Sequence, residues 1–463
     1  MRKLTDPYYV IKNKIYSTPS LFCVLSSYKL DFVFLSLLLV LSVVLFRDIF
    51  TTDAILVHGD LVFALNIDDQ IFHLLSNLPI HASKLSISLI LYPLKVLFGD
   101  IGAQKVFTIM ILFMAATFTY IANKYLVSGF GNTKGYWLSA SCFVGSLVFI
   151  YNPWTINKIH HHYWLVISLA ASYLLIALID SHLRSNERIN VKRLMLMAFL
   201  TSLVASQPQG LIIYLLPMLA IYLTVNLLFH RSLILSKLAI KKISVLMIII
   251  IGCNVFWLIP AIQLLITTNG ISQGIASYGL VEENVDVLSR RATIENVLQG
   301  TSDYTWGDDS SRDPSIIIGR NVNSAPTNSN IDIDLWGGLL AFLPLSLILL
   351  FFSIRRPIGK SVIYIVAFFS ILVILSVILA TGSYYNNIYS KFFLDFPLGE
   401  SIRDPYKFSG LYFVAVSFFA SVSLYRLDRD SVDSCGTDEY WSRFAPSNGY
   451  QKILPFALLL IAY

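Results

Sequence analysis

Charge is scarce in this chain: Asp, Glu, Lys and Arg make up 13% of its 463 residues, against about a quarter in soluble domains. A water-soluble fold of this size cannot hide a composition that is 56% hydrophobic, with 31 Phe and 25 Tyr, so a soluble class is excluded. Cysteine is scarce too. The four, Cys23, Cys142, Cys253 and Cys435, stand far apart, with no CxxC pair to hold zinc and no spacing that reads as a disulfide framework. The chain also lacks a Ser-His-Asp order, the HExxH motif and the Gly-rich nucleotide fingerprints. Gly129 to Gly135 has the glycines of a phosphate loop but neither its spacing nor a strand before it. Peptidases, zinc enzymes and Rossmann-type nucleotide enzymes are thereby set aside. A cleaved leader is not expected either, because the first apolar run, 31–50, comes too late and is too long.

What the chain has in abundance is long apolar runs. A hydrocarbon core about 30 Å thick needs roughly 20 residues of helix, and runs of about that size predict an all-α polytopic membrane protein with about 11 transmembrane helices. The expected spans are 31–49, 102–122, 136–152, 163–180, 193–206, 210–229, 243–267, 335–353, 361–381, 407–425 and a last one opening at Ile453. That last run stops at Tyr463, too short to cross, which reads as a C-terminally incomplete single multi-span domain over 1–463. Stretch 85–98, which holds Pro93 and Lys95, reads as an interfacial helix.

The formal charge of +6 does not point to nucleic acid, because the basic residues fall in short clusters between apolar runs. With the N-terminus cytoplasmic, most of the 34 Lys and Arg fall inside and most of the 28 Asp and Glu fall outside, as the positive-inside rule requires. The inner clusters are Arg184, Arg188, Lys192 and Arg193; Arg231, Lys237, Lys241 and Lys242; and Arg355, Arg356 and Lys360. The expected location is the plasma membrane. The outer face then carries the first loop, 50–101, a short segment, 153–162, the large loop, 268–334, and the loop 382–406. Loops beyond about 12–15 residues are usually functional or disordered.

Polar chemistry gathers in those loops. The first holds His58-Gly59-Asp60 and then Asp68 and Asp69. Carboxylates so near hydrocarbon ionise poorly, a condition for base chemistry near neutral pH; a solvated acidic rim is the plainer alternative. Loop 382–406 ends Arg403-Asp404-Pro405-Tyr406-Lys407 and runs into the tenth span. Pro favours a helix start, where free N–H groups attract anions, and Arg403 and Lys407 add two cations. That makes a phosphate clamp at membrane depth, unless Arg403 only pairs with Asp404 or snorkels to the interface.

Segment Asn152-Pro153-Trp154 to His160-His161-His162 has three successive histidines, but adjacent helical positions point about 100° apart and do not converge on one ion. His160 is a candidate for holding substrate. Gln207, in Ser206-Gln207-Pro208-Gln209-Gly210, has an amide that could hydrogen-bond a sugar, though Pro and Gly punctuate helices there anyway and a plain turn is the simpler reading. Asp68, Asp69, Asp308 and Asp309 carry the oxygen ligands a divalent cation would need, and spacing leaves that open.

Gly59-Asp60, the Asn-Pro exit after the third span, the Gln-Pro-Gln-Gly turn and Arg403 to Lys407 together resemble the GT-C superfamily of membrane glycosyltransferases. The likeness is nearest to the multi-span core of the arabinofuranosyltransferase-like and YfhO-like branches. That resemblance implies inverting transfer of a sugar from a polyprenyl phosphate-linked donor to a glycan, lipid or protein acceptor on the non-cytoplasmic face. On that resemblance Asp60 would be the general base or the carboxylate that orients the acceptor, and Arg403 with Lys407 would hold the donor's phosphate; His58, Asp68, Asp69, His160 and Gln207 stand beside them as candidate substrate-binding residues read from the sequence itself. A transporter or flippase of a lipid-linked substrate would instead place charges in mid-span, which this sequence does not do. A non-catalytic scaffold would leave Asp60 and Arg403 replaceable.

Overall fold

The computed structural model describes residues 21–47, 57–58, 61–62, 85–130, 136–184, 191–205, 208–267, 289, 292–300, 302, 347–348, 351, 362–385, 389 and 404–433. It is an all-α bundle. Its helices are α1 (Leu21–Leu45), α2 (Leu85–Val127), α3 (Tyr136–Ile150), α4 (Pro153–His161), α5 (Tyr163–Arg184), α6 (Val191–Ala205), α7 (Leu216–Phe229), α8 (Arg231–Ile234), α9 (Lys237–Thr267), α10 (Ile294–Gln299), α11 (Ile363–Ala380) and α12 (Ser409–Asp433). A π-helical turn, Leu211–Leu215, leads into α7, and a 3-10 turn, Pro405–Phe408, leads into α12. Among the described residues the exception to helix is a short antiparallel pair, β1 (Val57–His58) with β2 (Leu61–Val62), in which Val57 faces Val62 and His58 faces Leu61.

Among the described residues, six stretches are long and apolar enough to cross a membrane: Ile90–Phe130, Tyr163–Arg184, Leu211–Phe229, Lys237–Val255, Ile363–Ala380 and Pro405–Arg426. α3, at 15 residues, is apolar but short. The expected spans 335–353 and that from Ile453 lie almost wholly outside the described residues. The expected split between 85–98 and 102–122 appears as a break inside α2 at Gly99, which takes φ 70°. A side chain there would favour another backbone conformation, so glycine is what permits the bend.

α5 and α12 form the centre. Of the apolar window of Pro405–Arg426, 94% is buried, against 22% for Lys237–Val255, so helices hydrophobic all round sit inside and α9 lies at the periphery. α5 packs on α2 and α6; α12 packs on α3 and α11. Close approach there depends on small residues. A Cβ added at Gly145 of α3 would lie 2.0 Å from Ser421 Oγ and 2.6 Å from the Ser417 carbonyl of α12. The same seam is joined by a polar chain: Tyr173 donates to Asn123 Oδ1 (2.5 Å), Asn123 Nδ2 to Ser417 Oγ (3.0 Å), and Ser417 Oγ to the Gly145 carbonyl (2.7 Å). Small residues and satisfied hydrogen bonds between helices are how spans associate where lipid supplies no hydrophobic drive.

α1 is fastened by one carboxylate. Asp31 accepts from Tyr120 (2.6 Å) and Ser139 (2.8 Å) and pairs with Lys124. The helix begins well before the expected start at residue 31, because this charge is partnered inside the protein and need not mark a boundary.

Candidate functional site

Two stretches of like pattern build one end of the bundle. In Asn152-Pro153-Trp154, Asn152 caps α4: its Oδ1 accepts from Thr155 N (2.9 Å) while Pro153 takes the first helical position. In Asp404-Pro405-Tyr406, Asp404 does the same for the 3-10 turn, accepting from Tyr406 N (3.1 Å). Segment 153–162, expected to be an outer loop, is therefore a helix; the Asx-Pro start is the physical reason. The two motifs then meet. Trp154, fully buried, donates its indole N–H to the Tyr406 carbonyl (3.1 Å) and leans on Gly410, where a Cβ would come within 2.6 Å of the indole.

At their junction lies a buried ion pair. Lys158 Nζ is 3.3 Å from Asp404 Oδ2 and 4.7 Å from the centroid of the Tyr406 ring, with side-chain exposures of 4% and 12% for the pair. Such burial makes the pair costly to hold unless its geometry is used. Tyr406 donates its hydroxyl to the Gly300 carbonyl (2.6 Å), and Tyr214 donates to the Lys407 carbonyl (3.1 Å). Gly300, with φ 76°, ends α10 and approaches Trp154 and Phe413 too closely for a side chain. Tyr389 packs edge-on to Phe408, and burial, reinforced by the Asp404 charge, holds its hydroxyl well above the usual phenol range.

This end also gathers unmet hydrogen-bonding capacity. Among the described residues, buried polar atoms without a partner include both amide atoms of Gln104, Asn157 Nδ2, Ser302 Oγ, Ser409 Oγ and the Tyr412 hydroxyl. Asn157 precedes Lys158, Ser302 lies just past Gly300, and Ser409 and Tyr412 open α12. Gln104 sits one turn before Phe107, which meets Tyr163 edge-on at 5.3 Å directly after α4. Each such group costs about 1–3 kcal/mol, and nearly all buried polar groups in proteins are satisfied. Amides and hydroxyls held this way beside a buried cation, a carboxylate and aromatic faces suit a polyhydroxylated ligand.

Of the residues expected from the sequence, Lys407 belongs here. It is buried (5% exposed) in the 3-10 turn. The helix start that it was to share with Arg403 as an anion site already holds an anion, the Asp404 carboxylate. His58 lies on β1 and His160 on α4. Asp60, Asp68, Asp69, Gln207 and Arg403 lie outside the described residues, as do Asp308 and Asp309. Sequence reasoning gave no role to Lys158, Gln104, Asn157 or Ser302, and read Asp404 only as a partner for Arg403. The repeated Asx-Pro-aromatic pattern was the available signal. Among the described residues no group of three or more His, Cys, Asp or Glu is placed to hold a metal ion.

Fold and site together define a helical, membrane-type protein with a buried polar site at one end of its bundle. Comparison of the chain with protein-family models, curated proteins and solved structures finds no match.

Proposed function

We infer that the protein is a membrane glycosyltransferase that moves a sugar from a polyprenyl phosphate-linked donor to a glycan, lipid or protein acceptor. The observation that carries this reading is that buried amides and hydroxyls without partners, at Asn157, Ser302, Ser409 and Tyr412, lie on or beside the elements that carry the buried Lys158–Asp404 pair and the aromatic residues Trp154 and Tyr406. A sugar phosphate needs hydroxyl partners, aromatic faces and fixed cations in a dry place, and all three kinds of group meet there. On this reading the bundle is GT-C-like with about eleven spans. It sits in the plasma membrane with its N-terminus cytoplasmic and the Asp404 end outside.

In the reaction, an acceptor hydroxyl oxygen attacks the anomeric carbon. The bond from that carbon to the phosphate oxygen breaks, and the polyprenyl phosphate leaves with the electron pair. Asp60 takes the acceptor's proton, a contribution typically worth about 10² to 10⁴-fold. Lys158, Lys407 and Arg403 stabilise the charge that grows on the departing phosphate, which counts for more at membrane depth than in water. Because the donor arrives through the bilayer, no nucleotide-binding domain is required.

The test is transfer of labelled sugar from a panel of polyprenyl phosphate donors by the full chain in membranes. Wild type should give product, and Asp60→Asn, Arg403→Ala and Lys158→Met should each abolish it at undiminished expression. Product formation that survives all three changes refutes the site; failure of every donor in the panel refutes the donor class.

A further inference from the structure

The opposite end of the bundle, where α5 ends and α6 and α9 begin, is basic in a way the transfer reaction does not use. Between Asp180 and Glu282 the chain has eight Lys and Arg and one acidic residue, Glu187. The fold brings two of them, Arg193 and Lys242, to the same place, the last turn of α5. Lys242, fully buried, donates to the His182 carbonyl (2.7 Å), which ties the first turns of α9 to the last turn of α5. Arg193, in the first turn of α6, is close enough to act electrostatically on the same His182 ring as Lys242. Asp180 takes up one of these charges, that of Arg184 (Nε 2.9 Å away), and its remaining accepting capacity goes to the Tyr222 hydroxyl (2.7 Å) and the Tyr364 hydroxyl (2.9 Å).

Below the cations lies an apolar surface. α6 and α9 pack against each other. On α6, Lys192 is exposed, with Met195 (67%), Leu196 and Phe199 exposed beneath it at positions i+3, i+4 and i+7. On α9, Lys241 is exposed, with Ile248 (69%) seven residues on and Ile251 after it. Each helix therefore carries a lysine above an apolar stripe on one outward face. A small soluble anion matches the cations and leaves the stripes unused, whereas a molecule with an anionic head and hydrocarbon tails matches both.

We propose that the adjoining faces of α6 and α9 bind an anionic phospholipid, its phosphate headgroup held by Lys192 and Lys241 and its acyl chains laid along Met195, Phe199, Ile248 and Ile251. This site is separate from the one at Asp404 and stands whether or not the protein transfers sugar. A juxtamembrane basic residue contributes about 1 kcal/mol toward anionic lipid, so two together correspond to roughly 30-fold in affinity.

The experiment uses the full chain in nanodiscs of phosphatidylcholine mixed with phosphatidylglycerol, released into the gas phase so that retained lipids are counted. Wild type should keep phosphatidylglycerol over phosphatidylcholine, and Lys192→Gln with Lys241→Gln should reduce that preference by roughly 30-fold. Both lysines are exposed, so the double variant should retain the wild-type melting behaviour. Soluble glycerophosphate in excess should leave the lipid in place. No preference in wild type, an undiminished preference in the double variant, or displacement by glycerophosphate would each overturn the assignment.

Discussion

Replacing Asp180 by Ala should cost the protein about 3 kcal/mol of stability, and the structure allows that figure to be assembled. Asp180 joins three elements: it accepts from Arg184 of its own helix α5, from Tyr222 of α7 (2.7 Å) and from Tyr364 of α11 (2.9 Å to each oxygen). Breaking a fully buried ion pair by removing one partner costs about 3–5 kcal/mol. Here the Arg184 side chain is 26% exposed. It also keeps the Asn226 amide oxygen (2.9 Å) and the Tyr364 ring, 3.7 Å from its centroid. The charged share therefore falls to about 1–2 kcal/mol. The two phenols, each losing its acceptor among apolar neighbours, add about 0.6 kcal/mol or somewhat more apiece. Asp180→Asn should lose less, because an amide carbonyl still accepts one phenol. The assay is the folded fraction during an SDS titration in mixed micelles, with Tyr222→Phe and Tyr364→Phe closing a double-mutant cycle. A loss below about 1 kcal/mol for Asp180→Ala, or full additivity with the tyrosine changes, would refute the view that this carboxylate holds the three helices together.

Four further outcomes are expected. His230, which caps α7 and meets Tyr364 edge-on at 5.1 Å, has its pKa lowered by burial and then by Arg184, against a smaller opposing pull from Asp180. The unfolded chain therefore takes the proton first, so stability should fall as pH drops below about 6.5. His230→Phe should flatten that slope in melting curves from pH 7.5 to 5. In the α3–α12 seam, Gly145→Ala should destabilise by about 1–3 kcal/mol through the clash with Ser421 and Ser417. Gly252→Ala in α9, where a Cβ meets nothing within 4 Å, should be neutral or stabilising by up to about 1 kcal/mol. Lys158→Met should cost about 3 kcal/mol by stranding Asp404. Adding Asp404→Leu should recover most of that, less about 1 kcal/mol for the lost cap; failure of the second change to recover stability would show that the pair is not coupled.

The positions of α5, α6, α7, α9 and α11 were legible because apolar run length is set locally: expected spans 163–180, 193–206 and 361–381 meet helices Tyr163–Arg184, Val191–Ala205 and Ile363–Ala380. Two features were read less well. α4 reads as a loop in the sequence because its polar, histidine-bearing composition hides an Asn-Pro helix start. α1 was started at Asp31, since a charge looks like a boundary until its partners Tyr120, Lys124 and Ser139 are known. Within the site, the sequence singles out Lys407, but not the buried pairing of Asp404, which caps its turn, with a lysine 246 positions away.

The sequence alone determined that the chain is a helical membrane protein, because a composition of 56% hydrophobic and 13% charged residues in runs of span length admits little else. It also determined where most helices lie. What only the tertiary structure decided is which distant polar groups share a place: Lys158 with Asp404, Trp154 with Tyr406, Asp180 with Tyr364, Lys242 with His182. Helix formation answers to neighbours three or four residues away, so sequence reports it. Pairing of buried charges answers to which helices pack together, and that choice is made by small residues and shape across the seams, where sequence distance carries no information.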